Sequence, residues 1–345
     1  MGRSLLTATY TPTVDKDWSS DDLLDLSRTY QGACVLAAAA DLDVFTELAR
    51  SPREAAEVAR SLGCDPRGME VLLDALAAMG LLSKREGRYS PVGRAGELLA
   101  VGTPDSVLPM IRHQANCLRR WAQLPTVVKT GRPAEKSPSV RGPAEDTASF
   151  IGGMHVLSQP IAPGLIAGIP KPYRHVLDVG GGPGTWTTAF LRAEPGARAT
   201  LFDLPDVIPL ARKNLSEAGL LDRVTLAPGD FLRDPLPAGV DLAWVSAIVH
   251  QNSRGQNRQL FASIAAALLP EGRIAIRDVV MEPSRTAPPL GALFAVNMLV
   301  ATEGGGTFTL EELREDLEAS GFADVRPLRR DEGMHSIVQA VKRAG

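Results

Sequence analysis

Cysteine and histidine are scarce in this chain of 345 residues, aromatic residues make up only 5%, and basic residues hold no majority. Each shortage excludes something. The three cysteines, Cys34, Cys64 and Cys117, are odd in number and far apart, which argues against a disulfide framework and against thiolate metal ligation. They read as small buried thiols in a reducing cytoplasm. With 37 Lys and Arg against 40 Asp and Glu, the formal charge of −3 gives no basic field for a nucleic-acid backbone. No apolar run reaches the ~18 residues of a membrane span, and MGRSLLTATYTPTVDKDWSS lacks the apolar segment of a secretory signal. The histidines fall into no cluster with Asp or Glu at metal-ligand spacing, so no metal site is expected. What remains is an ordinary soluble composition, 44% apolar and 22% charged, long enough for two cored domains.

Three segments are expected: an amino-terminal helical domain over 1–102, a helical connector over 103–174 and an α/β domain over 175–345. From Leu23 to Leu48 the apolar spacing predicts two helices. Ser51-Pro52-Arg53-Glu54 and Asp65-Pro66 each carry a cap residue followed by proline and predict two helix starts. Gly80 then ends the second helix, and 81–90 form a hairpin, which makes a winged-helix arrangement. Its second helix sets Arg67 alone against Glu70 and Asp74, a poor balance for a DNA groove. The small-residue run ACVLAAAADLDVF reads better as part of a subunit interface. Segment 130–146 is expected as a loop. From His175 onward, short apolar strands alternate with amphipathic helices, the signature of a doubly wound, mostly parallel sheet.

The first strand of that sheet runs into V-L-D-V-G-G-G-P-G-T-W (176–186), a glycine-rich turn before a helix. Gly180, Gly181, Gly182 and Gly184 would let a ligand approach the backbone closely, a weak signal alone. Three carboxylates sharpen it. Asp178 at the loop's leading edge would repel a pyrophosphate and favour a cationic ligand. Asp203, with Leu204 after it, ends the second strand where ribose hydroxyls can donate to it. Gly229-Asp230-Phe231 end the third with a carboxylate for an amino group and a ring for stacking. An adenosine with a positive tail fits this set. A nicotinamide-dependent dehydrogenase would require G-x-G-x-x-G and no Asp178, whereas the chain reads GGGPG.

VLDVGGGPG, LFDLPDV, GDFL and the strand ending at His250 resemble the small-molecule O-methyltransferase family of plants and bacteria, which includes hydroxyindole and caffeate-type enzymes. The resemblance spans nearly the whole chain. It implies a class I, Rossmann-like methyltransferase domain with S-adenosylmethionine as cofactor, S-adenosylhomocysteine as product, and a homodimer paired through the amino-terminal domain. It also implies that Gly180, Asp203, Asp230 and Phe231 contact the cofactor. Ser246 stands at a cofactor-side position that is often lysine in plant members.

Methyl transfer needs donor and acceptor aligned and a base for the acceptor's proton. A phenol of pKa ~10 is protonated at neutral pH, so an imidazole near ~6.5 within reach is a suitable base. The resemblance assigns that role to His250 and maps one supporting acid onto Asp278, where the family has glutamate. It also exposes departures: Gln251 and Asn252 replace aspartate and tryptophan, and Thr307 in GGGTFT stands where a second glutamate is usual. The leading reading is methyl transfer to a hydroxyl of a small aromatic or polycyclic metabolite, with His250 as base and Asp278 assisting. Transfer to carbon or nitrogen, a non-methylating use of the cofactor, and an S-adenosylmethionine-sensing winged-helix regulator are the alternatives. Under a further reading His250 only hydrogen-bonds at a strand end. Candidates for the acceptor pocket are His113, Trp121, Met154, His155, Phe294, Asn297 and Met298.

Overall fold

The computed structural model describes residues 17–344. The reading of the amino terminus as free of a signal segment falls on residues 1–16 and lies outside the described residues. Among the described residues two compact units emerge, one of residues 17–122 with Glu135–Leu157, the other of Gln123–Ala134 with residues 158–344. The expected connector over 103–174 is therefore divided. Helix Leu108–Trp121 packs on helix Tyr30–Asp41 in the first unit, whereas Leu124–Thr130 packs on Pro289–Ala301 in the second.

In the first unit, three helices stand where two are expected: Ser20–Arg28, Tyr30–Asp41 and Val44–Leu48. The extra break falls at Asp43, whose φ of 60° is left-handed, a conformation that aspartate tolerates better than most residues. The Asp43 carboxylate is bound by Arg112 and Arg141, which holds the break in place. Arg53 and Glu54 do not open a helix. They form β1 (Arg53–Glu54), paired with β3 (Arg88–Pro91), because backbone pairing to Tyr89 and Arg88 keeps them extended. The helix begins instead at Ala55, with the Glu54 N–H donating to the Glu57 carboxylate at 2.9 Å. Asp65 caps Pro66–Ala78 as expected, accepting from the Gly68 N–H at 2.7 Å. β2 (Leu82–Arg85) and β3 close the antiparallel sheet in the order β1-β3-β2.

The second unit carries β4 (His175–Val179), β5 (Arg198–Asp203), β6 (Val224–Pro228), β7 (Val240–Ser246) and β8 (Leu268–Asp278), all mutually parallel. A small parallel pair, β9 (Val280–Met281) and β10 (Phe308–Thr309), follows. β11 (Phe322–Arg329) and β12 (Ser336–Lys342) complete a seven-stranded sheet in the order β11-β12-β8-β7-β4-β5-β6, with β12 antiparallel to both neighbours. The alternation of side chains divides the core. Leu177, Val179, Val245, Ile274 and Ile276 face helices Arg254–Ala267 and Leu310–Ala319; Val176, Leu242, Trp244 and Ala275 face Thr185–Ala193 and Ala162–Ile166. Each large side chain so buried contributes about 1.5–3 kcal/mol by leaving water. Helices on both faces leave the carboxy-terminal rim of the parallel strands as the open end, where such sheets bind ligands. Among the described residues no helix is long and apolar enough to cross a membrane.

Candidate active site

Five parallel strands, β4 to β8, deliver the predicted cofactor-side and catalytic residues to one rim. The chain leaves β4 at Gly180, whose φ of 65° is left-handed and whose Cβ, were there one, would lie 2.6 Å from Ile248 Cδ1. Only glycine fits there. A Cβ on Gly182 would meet nothing within 4 Å, so this turn presents open backbone outward. Gly181 packs over Leu201, and Gly184 is the N-cap of helix Thr185–Ala193. The loop therefore ends at the positive end of a helix.

Asp203 ties the loop to β5. Its Oδ2 accepts from the Gly182 N–H and its Oδ1 from the Leu204 N–H, both at 2.7 Å. Burial pushes this carboxyl above the usual range while those two donors pull it down. Each oxygen keeps a second lone pair for a hydroxyl. Leu204 beside it is exposed. Gly229 follows β6 and donates to the Asp203 carbonyl at 2.9 Å. A Cβ there would stand 2.4 Å from Phe202 Cζ, which accounts for the glycine. Asp230 accepts from the Leu232 N–H at 3.0 Å, and the Phe231 ring lies beside Gly180, packed on the core.

Asp178 is placed differently from expectation. It is 1% exposed and turned inward, its Oδ2 accepting from the Thr187 N–H at 3.1 Å and hydroxyl at 2.6 Å. Burial pushes its carboxyl up to about 7. The alternation that sends Leu177 and Val179 to one face sends Asp178 to the other, under the helix start. This carboxylate fixes the junction of loop and helix from inside.

His250 sits in a short 3-10 turn, Val249–Gln251, just past β7, and is 6% exposed. Its Nδ1 lies 2.8 Å from Asp278 Oδ1 and 3.0 Å from Oδ2. Asp278, at the end of the adjacent β8, also accepts from the Val279 N–H at 2.8 Å and the His250 N–H at 3.4 Å. An ionised carboxylate only accepts, so Nδ1 carries the proton of a neutral ring and Nε2 presents a lone pair. The backbone is held as firmly. Ala247 adopts φ 58°, a strained conformation of the kind that gathers at functional sites. Asn257, buried, donates to the Val249 carbonyl at 2.9 Å and accepts from Asn252 at 3.1 Å. Gly306 donates to the His250 carbonyl at 2.9 Å. Thr307 is buried and brings no carboxylate, its carbonyl instead accepting from Arg285 at 2.7 Å.

Helix Pro289–Ala301 sets Phe294 edge-on to the His250 ring, centroids 4.8 Å apart, and carries Asn297 and Met298 one turn on. Ser246 ends β7, its hydroxyl accepting from Arg277 at 2.7 Å. His113 and Trp121 lie on Leu108–Trp121, and Met154 and His155 on Pro143–Ser158, all in the amino-terminal unit. Burial pushes His113 down to about 4 and lowers His155. Sequence reasoning missed Asn257, Gly305, Gly306 and Arg277. Consecutive glycines at 304–306 outside a predicted turn were the available signal for the loop over His250. Among the described residues no group of His, Cys, Asp and Glu is gathered as metal ligands are.

Residues 145–323 match the family model described as an O-methyltransferase domain, and 24–100 match that of the O-methyltransferase dimerisation domain. The 3-hydroxy-5-methyl-1-naphthoate 3-O-methyltransferase of Streptomyces sahachiroi is 33% identical, the alignment covering 93% of this chain and 94% of that protein. The tetracenomycin polyketide synthesis 8-O-methyl transferase of Streptomyces glaucescens is 32% identical over 88% of this chain and 92% of its own. Human N-acetylserotonin methyltransferase in complex with S-adenosylmethionine superposes with a TM-score of 0.80 at 25% identity, covering 95% of this chain and 99% of that one.

Proposed function

The chain belongs to the S-adenosylmethionine-dependent O-methyltransferases, and from that premise we propose that His250, oriented by Asp278, takes the proton from the hydroxyl of a small aromatic or polycyclic acceptor as that oxygen is methylated. The observation that carries this reading is the buried Nδ1 to Asp278 contact of 2.8 Å, which leaves Nε2 as the basic atom.

The rim suits the cofactor. Open backbone at Gly182, the paired oxygens of Asp203 and the exposed Leu204 offer close approach, acceptors for ribose hydroxyls and an apolar surface for adenine. Gly180, Gly181, Gly184, Gly229, Asp230 and Phe231 complete the proposed contacts. Bound there, S-adenosylmethionine supplies an electrophilic methyl group. The protein's part is to align the acceptor oxygen and hold its proton: Nε2 of His250 receives it, and Asp278 stabilises the imidazolium. General-base assistance of this kind is worth roughly 10²–10⁴ in rate. Phe294, Asn297 and Met298 are the proposed acceptor-side contacts of this unit.

An aromatic acceptor is supported by the naphthoate and tetracenomycin enzymes that the chain resembles and by the Phe294 ring beside the base. The dimerisation-domain match supports a homodimer, and the free thiols Cys34, Cys64 and Cys117 suit a cytoplasmic enzyme. Incubation with methyl-labelled S-adenosylmethionine and paired naphthols and methoxynaphthalenes tests the chemistry. Label should enter the free hydroxyl compounds alone. Equal labelling of compounds without a hydroxyl would move the transfer to carbon.

A further inference from the structure

Arg277 is a buried cation that the chemistry above does not use. It precedes Asp278 on β8 and, by the alternation of the strand, points to the opposite face of the sheet, that of Trp186 and Trp244. Its side chain is committed to the rim. Ser246 pairs in register with Arg277 on one side, and it follows Val245, which pairs with Val179, the residue before Gly180. The guanidinium reaches back across Ser246, donating Nη1–H to the hydroxyl at 2.7 Å, and lies 4.8 Å from the centre of the Trp186 ring. Trp186 belongs to the first turn of the helix that the glycine loop opens. The cation thus stands between the His250 strand end and the cofactor loop.

Its charge is left uncompensated. Arg277 is 5% exposed, and among the described residues no carboxylate forms an ion pair with it. The two acids whose fields favour its charge are engaged elsewhere. Asp278 holds His250, and Asp331 accepts from the Gly333 and His335 N–H groups and pairs with Arg329. Burial wins, pushing the guanidinium down to about 10. The edge formed by Nε–H and Nη2–H, which carboxylates take bidentately, is poorly satisfied. Nε–H is buried with no acceptor, and Nη2 has only a 3.3 Å contact with His335 Nδ1. A buried, unpaired charge is strongly unfavourable unless a ligand supplies the counter-charge.

We propose that Arg277, held by the Ser246 hydroxyl, is a carboxylate-binding subsite of this rim, its Nε–H/Nη2–H edge taking the amino-acid carboxylate of the cofactor or a carboxylate on the acceptor. The proposal rests on the rim being the S-adenosylmethionine site. His335 Nδ1 is the weak acceptor that the carboxylate displaces. The residue is a binding group and takes no part in proton transfer.

Calorimetry on the full-length protein separates the sources. S-adenosylhomocysteine carries the amino-acid carboxylate and 5′-methylthioadenosine lacks it; 3-hydroxy-1-naphthoate and 2-naphthol differ in the same way on the acceptor side. If the carboxylate is the cofactor's, Arg277→Gln weakens S-adenosylhomocysteine on the order of 10–100-fold and leaves methylthioadenosine within about twofold. If it is the acceptor's, the cofactor pair is unmoved and the naphthoate loses affinity relative to the naphthol. Arg277→Lys, which keeps the charge, and Ser246→Ala should show the same pattern more weakly, and they carry the test if Arg277→Gln does not fold. Equal changes within both pairs, or no change in either, overturn the subsite and leave Arg277 as a structural cation. Failure of the unaltered protein to bind either adenosine ligand would instead strike the cofactor reading itself.

Discussion

His250 Nδ1 stands 2.8 Å from Asp278 Oδ1, and both side chains are nine-tenths or more buried. The pair joins the turn after β7 to the end of β8, so the tautomer of the ring is set by the fold before any acceptor arrives. Asp278→Asn removes the charge while keeping the shape. It should lower kcat on the order of 10²–10⁴, because an amide can donate to Nδ1 and so favour the wrong tautomer. Asp278→Glu keeps the charge and should retain more activity than the amide. Steady-state kinetics of the two variants checks the order; equal losses would mean that the carboxylate's charge is unimportant.

Gly305 lies under the carbonyl of His250. A Cβ there would stand 2.4 Å from that oxygen and 2.5 Å from Thr302 Oγ1, and the first is backbone that cannot swing aside. Gly305→Ala should displace the 3-10 turn, costing about 1–3 kcal/mol of stability and on the order of 10–100-fold in kcat. S-adenosylhomocysteine affinity, measured by calorimetry, should stay within about twofold. A variant with normal kcat would show that the loop merely rests on the turn.

Asp203 links three parts of the rim through Gly182, Leu204 and Gly229. Asp203→Ala removes the acceptors proposed for the ribose and frees two loop N–H groups. Affinity for S-adenosylhomocysteine should fall on the order of 10–100-fold, each charged hydrogen bond being worth about 1.5–3 kcal/mol. Unaltered affinity would place the ribose elsewhere.

His113 gives a pH dependence of stability that does not depend on the reaction. Burial lowers its pKa to about 4 in the folded chain, against about 6.5 when unfolded. Between those values the unfolded state binds the extra proton, so stability falls as pH drops through the window and the penalty levels off below it. His113→Leu cannot charge and should lose less stability between pH 6.5 and 4. Thermal unfolding at a series of pH values checks the sign, and parallel curves for the two proteins would contradict it.

The rim was legible in the sequence wherever function imposes a rare local pattern. The run of glycines before Thr185 and the acids at the strand ends survive in one dimension because close approach and strand termini are local properties. Asp178 was misplaced for a matching reason: proximity along the chain does not tell which face a side chain takes, and the strand's alternation turned it inward under Thr187. The start of helix Ala55–Leu62 was lost to pairing with β3, more than thirty residues away in sequence. Arg277 reaches Ser246 from the neighbouring strand and Asn257 holds the Val249 carbonyl, contacts that no motif announces, whereas the glycines at 304–306 left the one visible mark of the loop over His250.

The central claim is that His250 is the base and has no part in holding the cofactor. His250→Ala, assayed in single turnover with a labelled cofactor and a naphthol, should transfer methyl slower on the order of 10²–10⁴, with S-adenosylhomocysteine binding within about twofold of the unaltered protein. An unchanged transfer rate would contradict the account and leave His250 as a hydrogen-bonding residue at the end of β7.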